Sequence, residues 1–193
     1  IAPGLLANSA MNGAIYDSTW NVYFKLNESK TYQGMLATSL GPLDVALGEI
    51  LSALLRGFVY SLGFMCIATP MGLIPSWWGM IAIPAAVLIA FGFASVGMAI
   101  TSYFKSYQQM GLINISLLPI FLFSGSFYPL SVFPDWAQIL IKALPLWHAI
   151  ELVRNLTLGI IGWHLAVHIC YFLIMIVLGL YLTTKRLNAL FMR

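Results

Sequence analysis

The chain has 193 residues, 61% of them hydrophobic and 8% charged. Soluble domains hold about 45–50% apolar and about 25% charged residues, so this supply of charge cannot clothe a water-soluble surface, and a soluble enzyme is excluded. Nine Lys and Arg against six Asp and Glu, scattered along the chain, make no basic patch, which excludes a nucleic-acid-binding domain and nucleic-acid partners. The apolar content excludes disorder, and the apolar runs are too long and unbroken for a membrane β-barrel. The fold class that remains is an all-α polytopic membrane protein.

Five segments reach the roughly 20 mostly apolar residues of a membrane span, at about 1–24, 47–73, 78–104, 111–127 and 163–184. The first is the most polar. Asn8, Asn12 and Tyr16 lie four apart, with Ser9 and Thr19 beside them. Polar groups within a membrane avoid lipid, so this stripe faces protein or water. Helix–helix glue and the lining of a transport path both satisfy that requirement.

Residues 26–46 form the longest loop. Thr31 to Thr38 predicts a short helix stopped by Gly41-Pro42, and Asp44 favours the positive start of the next helix. Tyr32, Met35 and Leu36, with Thr38 at its end, make this either a knob for a soluble partner or a loop resting on headgroups. Arg56 lies about two turns into the second span and reads as an interfacial anchor that snorkels, with Glu49 as a candidate partner. Ala86, Ala90 and Ala94 give the third span a row of small residues for close helix packing. Asn114 and Ser116 give the fourth a smaller polar patch. Cys66 and Cys170 sit inside apolar runs and read as buried thiols.

Residues 133–160 differ in kind. Asp135, Lys142, His148, Glu151 and Arg154 interrupt the apolar pattern, and Pro134 and Pro145 cut it. The chain is expected to turn at Ser124-Gly125 and to form short helices here that lie at the membrane surface or dip part-way in. Orientation follows from the basic residues. With loop 26–46 inside, Lys25, Lys30, Arg56, Lys105, Lys185, Arg186 and Arg193 fall on or near the cytoplasmic side, and only Lys142 and Arg154 fall outside. Trp77, Trp78, Trp136, Trp147 and Trp163 then mark the outer boundary. Five spans with a cytoplasmic C-terminus put the start of the chain outside. Its Ile-Ala-Pro-Gly opening has no initiator Met, so the sequence is expected to be a fragment lacking an earlier span.

Chemistry is thinly represented. No GxxxxGK[ST] motif is present, so any ATP work belongs to another polypeptide. His148 and Glu151 are three apart and His164 and His168 four apart. Each pair offers two metal ligands with no third nearby, so interfacial polar residues are the expectation and no metal or other cofactor is expected in this chain. Ser126 after Gly125, or His148, could serve an intramembrane acyltransferase or hydrolase, the alternative function class. Glu151 and Arg154 can pair on one helical face.

Two stretches carry a family resemblance. Tyr32 to Asp44 (YQGMLATSLGPLD) resembles the inner loop of ABC-2 type exporter permeases, with Leu36, Ala37, Leu40, Pro42 and Gly48 matching the family pattern and Ser39 standing where the family often has Pro. Pro119 to Trp136 (PIFLFSGSFYPLSVFPDW), followed by Leu144 to Arg154 (LPLWHAIELVR), resembles the family's outer signature. Within the family the chain most resembles permeases of the daunorubicin-resistance and nodulation-factor exporter kind. The resemblance implies a six-span permease of which this chain holds the last five, paired with a second copy or a close paralogue and set on separate ABC ATPase subunits that hold ATP and magnesium. It implies ATPase coupling through Tyr32, Met35, Leu36 and Thr38. It implies a path along Asn8, Ser9, Asn12, Tyr16, Asn114 and Ser116. In a dimer, Ser124, Gly125, Phe127, Pro129, Pro134, Trp136, Pro145, Glu151 and Arg154 would form an outer gate. The expected setting is the bacterial plasma membrane, with outward movement of an amphipathic or lipid-linked cargo such as a drug, glycolipid or saccharide.

Overall fold

The computed structural model describes residues 2–72, 77–128 and 130–191, and among them there is no strand. Helix α1 (Ala2–Tyr16) continues as helical backbone through the π-helical turns Asp17–Asn21 and Phe24–Glu28. The short α2 (Thr31–Leu36) follows, then α3 (Pro42–Ala68), α4 (Ala82–Thr101), α5 (Tyr107–Phe123), α6 (Asp135–Ala143), α7 (Pro145–Leu158) and α8 (Trp163–Phe191). Among the described residues, three helices are long and apolar enough to cross a membrane: Pro42–Ala68, Gly79–Thr101 and Trp163–Leu190. Helix α5 is apolar but shorter, at 17 residues.

Local chemistry sets the boundaries. Gly41 is extended, its N–H donates to Asp44 Oδ2 at 2.9 Å, and Pro42 opens α3, which therefore starts earlier than its apolar run. Ser106 caps α5: its hydroxyl accepts from the Gln108 N–H, and Gln109 Oε1 accepts from the N–H groups of Lys105 and Ser106. Leu144, extended as a residue before proline must be, separates α6 from α7. Gly159 takes φ +73 to end α7, and Ile160 N–H donates to the Asn155 carbonyl at 2.8 Å.

Helix α4 is the axle of the bundle. Ala86, Ala90 and Ala94 are fully buried, as are most of their neighbours, and α1, α3, α7 and α8 all pack on it. Small residues let the backbones close in. A Cβ added at Gly57 would lie 2.8 Å from Ala90 Cβ, and one at Gly92 would lie 2.7 Å from the Phe172 ring. Buried hydroxyls bond within their own helix, as Ser61 does to the Gly57 carbonyl and Thr101 to that of Gly97.

The two helices of residues 133–160 behave differently. In α6 only Ile141 is buried, while Trp136, Ile139 and Leu140 are exposed, as are Asp135 and Lys142. Helix α7 buries Leu146, Ala149, Ile150, Leu152, Val153 and Leu156 and is wedged against α1, α4 and α8. One piece thus has the amphipathic form of a surface helix, and the other is part of the core.

Three expectations are corrected. Glu49 does not pair with Arg56: it takes Lys25 at 2.8 Å, while Arg56 Nη2 reaches Asp17 Oδ1 at 3.2 Å. Nor is Arg56 near a helix end, since fourteen residues from Pro42 place it about 21 Å along α3. Cys66 and Cys170 are both exposed, on the outer faces of α3 and α8.

Candidate transport and coupling site

The helix ends sort into two groups. At one end Lys25 of α1 pairs with Glu49 of α3, Trp20 and Tyr23 pack edge-on against Tyr107 of α5, and Arg186 of α8 donates to the Ser102 carbonyl after α4. Lys25, Lys105 and Arg186 therefore share this end, with Lys30 and Lys185 beside them in sequence. Helix α2 hangs here between α1 and α3.

A single left-handed residue, Lys30 at φ +52, turns the chain from α1 into α2. Tyr32 is fully buried. Its burial, together with the Glu49 and Asp17 charges, pushes the phenol pKa far above its ordinary range, so the hydroxyl stays neutral. Met35 and Leu36 are half-buried against the core, leaving Gln33, Gly34, Ala37 and Thr38 as the exposed surface. Of the four residues marked for coupling, Tyr32 thus anchors α2, Met35 and Leu36 flank the seat, and Thr38 faces outward. Its hydroxyl donates to the Met35 carbonyl at 2.6 Å, closing the helix.

The polar stripe of α1 divides. Asn8 and Asn12 line a cleft of about 220 Å³ against Leu117, Leu118 and Phe121 of α5, and Asn8 Oδ1 is buried there with no hydrogen-bond partner among the described residues. Ser9 is half-buried, and Tyr16 is exposed, leaning toward Trp20. Ser116 lines a second cleft, of about 380 Å³, with Thr19, Ile15 and Gly97 on its far wall. Its walls are hydrocarbon, and both hydroxyls are already bonded: Thr19 to the Ile15 carbonyl and Ser116 to that of Leu112. Helix α5 thus stands between a polar cleft and an apolar one, with Leu117 on both. The Asn114 side chain lies outside the described residues, as do those of Trp77, Trp78 and Pro129.

At the opposite end a network ties the expected gate residues together. Arg154 pairs with Glu151 and also donates to the Gly125 carbonyl at 3.1 Å, fastening α7 to the turn after α5. Gly125 sits at φ +82, and the Ser124 and Ser126 hydroxyls meet at 3.1 Å. Gly4 lies against Ser126, which closes the turn onto the start of α1. Phe127 and Trp136 are exposed; Pro134 precedes α6 and Pro145 opens α7.

One cluster escaped the sequence reading. His148 of α7 and His168 of α8 meet Nδ1 to Nδ1 at 2.7 Å, with Tyr171 stacked on His148 and Trp147 edge-on to both. Burial, reinforced by His168, pulls the His148 pKa down from 6.5 to about 4 against a hydrogen bond at Lys142 that raises it, so one neutral ring donates to the other. No group of three metal-ligating side chains occurs among the described residues. Ser126 meets Ser124 and His148 meets His168, so the nucleophile–base contact of a hydrolase is not formed among the described residues.

The family model of ABC-2 type transporters matches residues 1–158. The chain belongs to the ABC-2 type transporter family. Nodulation protein J of Sinorhizobium fredii (strain NBRC 101917 / NGR234) is 33% identical over 185 residues, covering 91% of this chain and 68% of that protein. Nodulation protein J of Rhizobium leguminosarum bv. trifolii is 29% identical over 195 residues, covering all of this chain and 74% of that protein. That of Rhizobium meliloti (strain 1021) is 25% identical, covering 97% and 73% respectively. No solved structure matches the chain. As an ABC-2 family member the chain is the multi-pass membrane component of an ABC transporter, a class that works with an ABC ATPase and is not itself catalytic.

Proposed function

We propose that this chain is the permease subunit of an ATP-driven exporter in a bacterial plasma membrane, with its C-terminus cytoplasmic. Two copies, or one copy and a close paralogue, surround a central path and stand on ATPase subunits that hold ATP and magnesium. The cargo is amphipathic or lipid-linked, moved outward past the polar cleft of Asn8 and Asn12 and beneath the gate formed by the 124–128 turn, α6 and α7.

The observation that carries this reading is the seating of α2. A buried tyrosine fixes a short helix at the basic end between two long helices, leaving Gln33, Gly34, Ala37 and Thr38 facing out. A helix held this firmly, yet presenting small side chains, suits a socket on a soluble partner. The test is association of the chain with its ATPase. Ala37→Asp and Thr38→Asp place charge on exposed positions, where folding tolerates it, but burying that charge in an apolar socket is costly. Both variants are expected to reach the membrane at parental levels and to lose co-purification of the ATPase at least tenfold. Parental association and parental hydrolysis in both would refute the reading.

A further inference from the structure

The two ion pairs between α1 and α3 cross. Each side gives one carboxylate and one cation: Asp17 and Lys25 from the π-helical continuation of α1, Glu49 and Arg56 from α3. Both carboxylates are buried, Asp17 at 3% exposure and Glu49 at 8%. A buried carboxylate in a membrane helix is held only by a partner. Asn21 adds a third contact, its amide donating to Asp17 Oδ1 at 3.2 Å.

The spacing explains the irregular backbone of α1. Glu49 and Arg56 are seven apart, which in an α-helix puts them about 20° apart around the axis, on one face. Asp17 and Lys25 are eight apart, which in an α-helix would turn them about 80° apart. A π-helical turn takes up one extra residue, and one lies at Asp17–Asn21, between the two positions. Thr19 Oγ1 bonds to the Ile15 carbonyl at 2.6 Å and Ser18 Oγ to the same oxygen at 3.3 Å, so hydroxyls compete there with the regular ladder. The second wide turn, Phe24–Glu28, carries Lys25 itself. Both α1 partners thereby face α3.

We infer that the pairs Asp17–Arg56 and Lys25–Glu49 staple α1 to α3, so that the hairpin carrying α2 moves as one lever; these four are positioning residues for coupling. This rests on the proposed role of α2. A push on α2 reaches the bundle through the ends of α1 and α3. With two staples about two turns apart, the helices cannot slide or roll independently, and the push arrives at Asn8 and Asn12 undiminished.

The test uses the whole transporter with its ATPase in membranes. Cys66 and Cys170 are first replaced by Ser, and a single cysteine replaces Asn12. Labelling by a water-soluble maleimide is measured with and without ATP plus vanadate. The parent is expected to change its labelling rate with nucleotide. Lys25→Glu and Glu49→Lys singly are expected to reduce that response at least fivefold while still co-purifying the ATPase, and the double exchange Lys25→Glu with Glu49→Lys is expected to restore it. Asp17→Asn, nearly isosteric, should reduce the response at unchanged expression. If the parent responds and all single variants respond equally, the lever is refuted and the role of α2 stands. If the parent does not respond at all, the path along Asn12 falls and the lever with it, while the role of α2 is decided separately by co-purification of the ATPase.

Discussion

Gly179 offers the sharpest test of how α8 meets α4. A Cβ built there would lie 2.5 Å from Ser95 Cβ, 2.6 Å from the Ser95 carbonyl carbon and 2.8 Å from its oxygen. Carbon atoms in contact rest about 3.5–4.0 Å apart, so Gly179→Ala requires the two helices to part by roughly 1 Å. The obstacle is backbone, which cannot rotate away, so the cost belongs at the upper end of the about 1–3 kcal/mol of overpacking. Alanine regains about 1 kcal/mol over glycine inside a helix, leaving a net loss of about 2 kcal/mol. Gly63, in the interior of α3, supplies the control, since nothing lies within 4 Å of its added Cβ. Gly63→Ala keeps the helical gain of about 1 kcal/mol. The variants should therefore differ by about 3 kcal/mol, or roughly 6–12 °C in Tm for a chain of this size. Thermal unfolding in detergent, followed by loss of the monodisperse elution peak, measures the difference. Equal midpoints, or Gly179→Ala the more stable, would refute the close approach of α4 and α8.

Acid should loosen α7. His148 has its pKa lowered from 6.5 to about 4, so the fold favours its neutral form; that contribution is complete above about pH 6.5 and is lost progressively as pH falls toward 4. Thermal midpoints of the parent should drop more steeply across this window than those of His148→Leu, and parallel profiles would count against a docked neutral imidazole. The path reading is checked by thiol access in the cysteine-free background: cysteines at positions 8 and 12 should react with a water-soluble reagent in at least one nucleotide state, and one at fully buried Ala90 should not. Uniform protection would favour helix–helix glue.

Much of this architecture was legible in the sequence because it is periodic or punctuated. The alanine row of α4 announces an interior helix, Pro134 and Pro145 mark the starts of α6 and α7, and Gly41-Pro42 marks the start of α3. What stayed hidden is pairwise and tertiary. Asp17 is one charge in an apolar run, and nothing local says that its partner lies 39 residues on at Arg56. The histidines invite pairing along one helix, 148 with 151 and 164 with 168, whereas the contact joins 148 to 168 across two. Tyr16 is on the helical spacing of Asn8 and Asn12, yet eight residues turn it about 80° from Asn8, and it stands exposed outside the lining of their cleft. Tyr32 looked like surface for a partner because its loop is polar, but an aromatic ring beside two apolar helix ends finds more to cover by turning inward.

Helix α5 has a consequence for the bilayer itself. Its 17 residues rise about 25 Å, against a hydrocarbon layer of about 30 Å, whereas α8 with 29 residues is long enough to cross at a tilt. On the proposed topology, in which α5 is a span, a helix this short cannot place both of its ends among headgroups unless the membrane thins around it. The ends are prepared for immersion: Ser106 and Gln109 satisfy amides at one, and the Arg154 guanidinium covers the Gly125 carbonyl at the other, as backbone below the headgroups requires. Lipid thickness should therefore act on α5 before it acts on any other helix, and the two clefts on its flanks are the parts of the molecule that a thicker membrane would deform first.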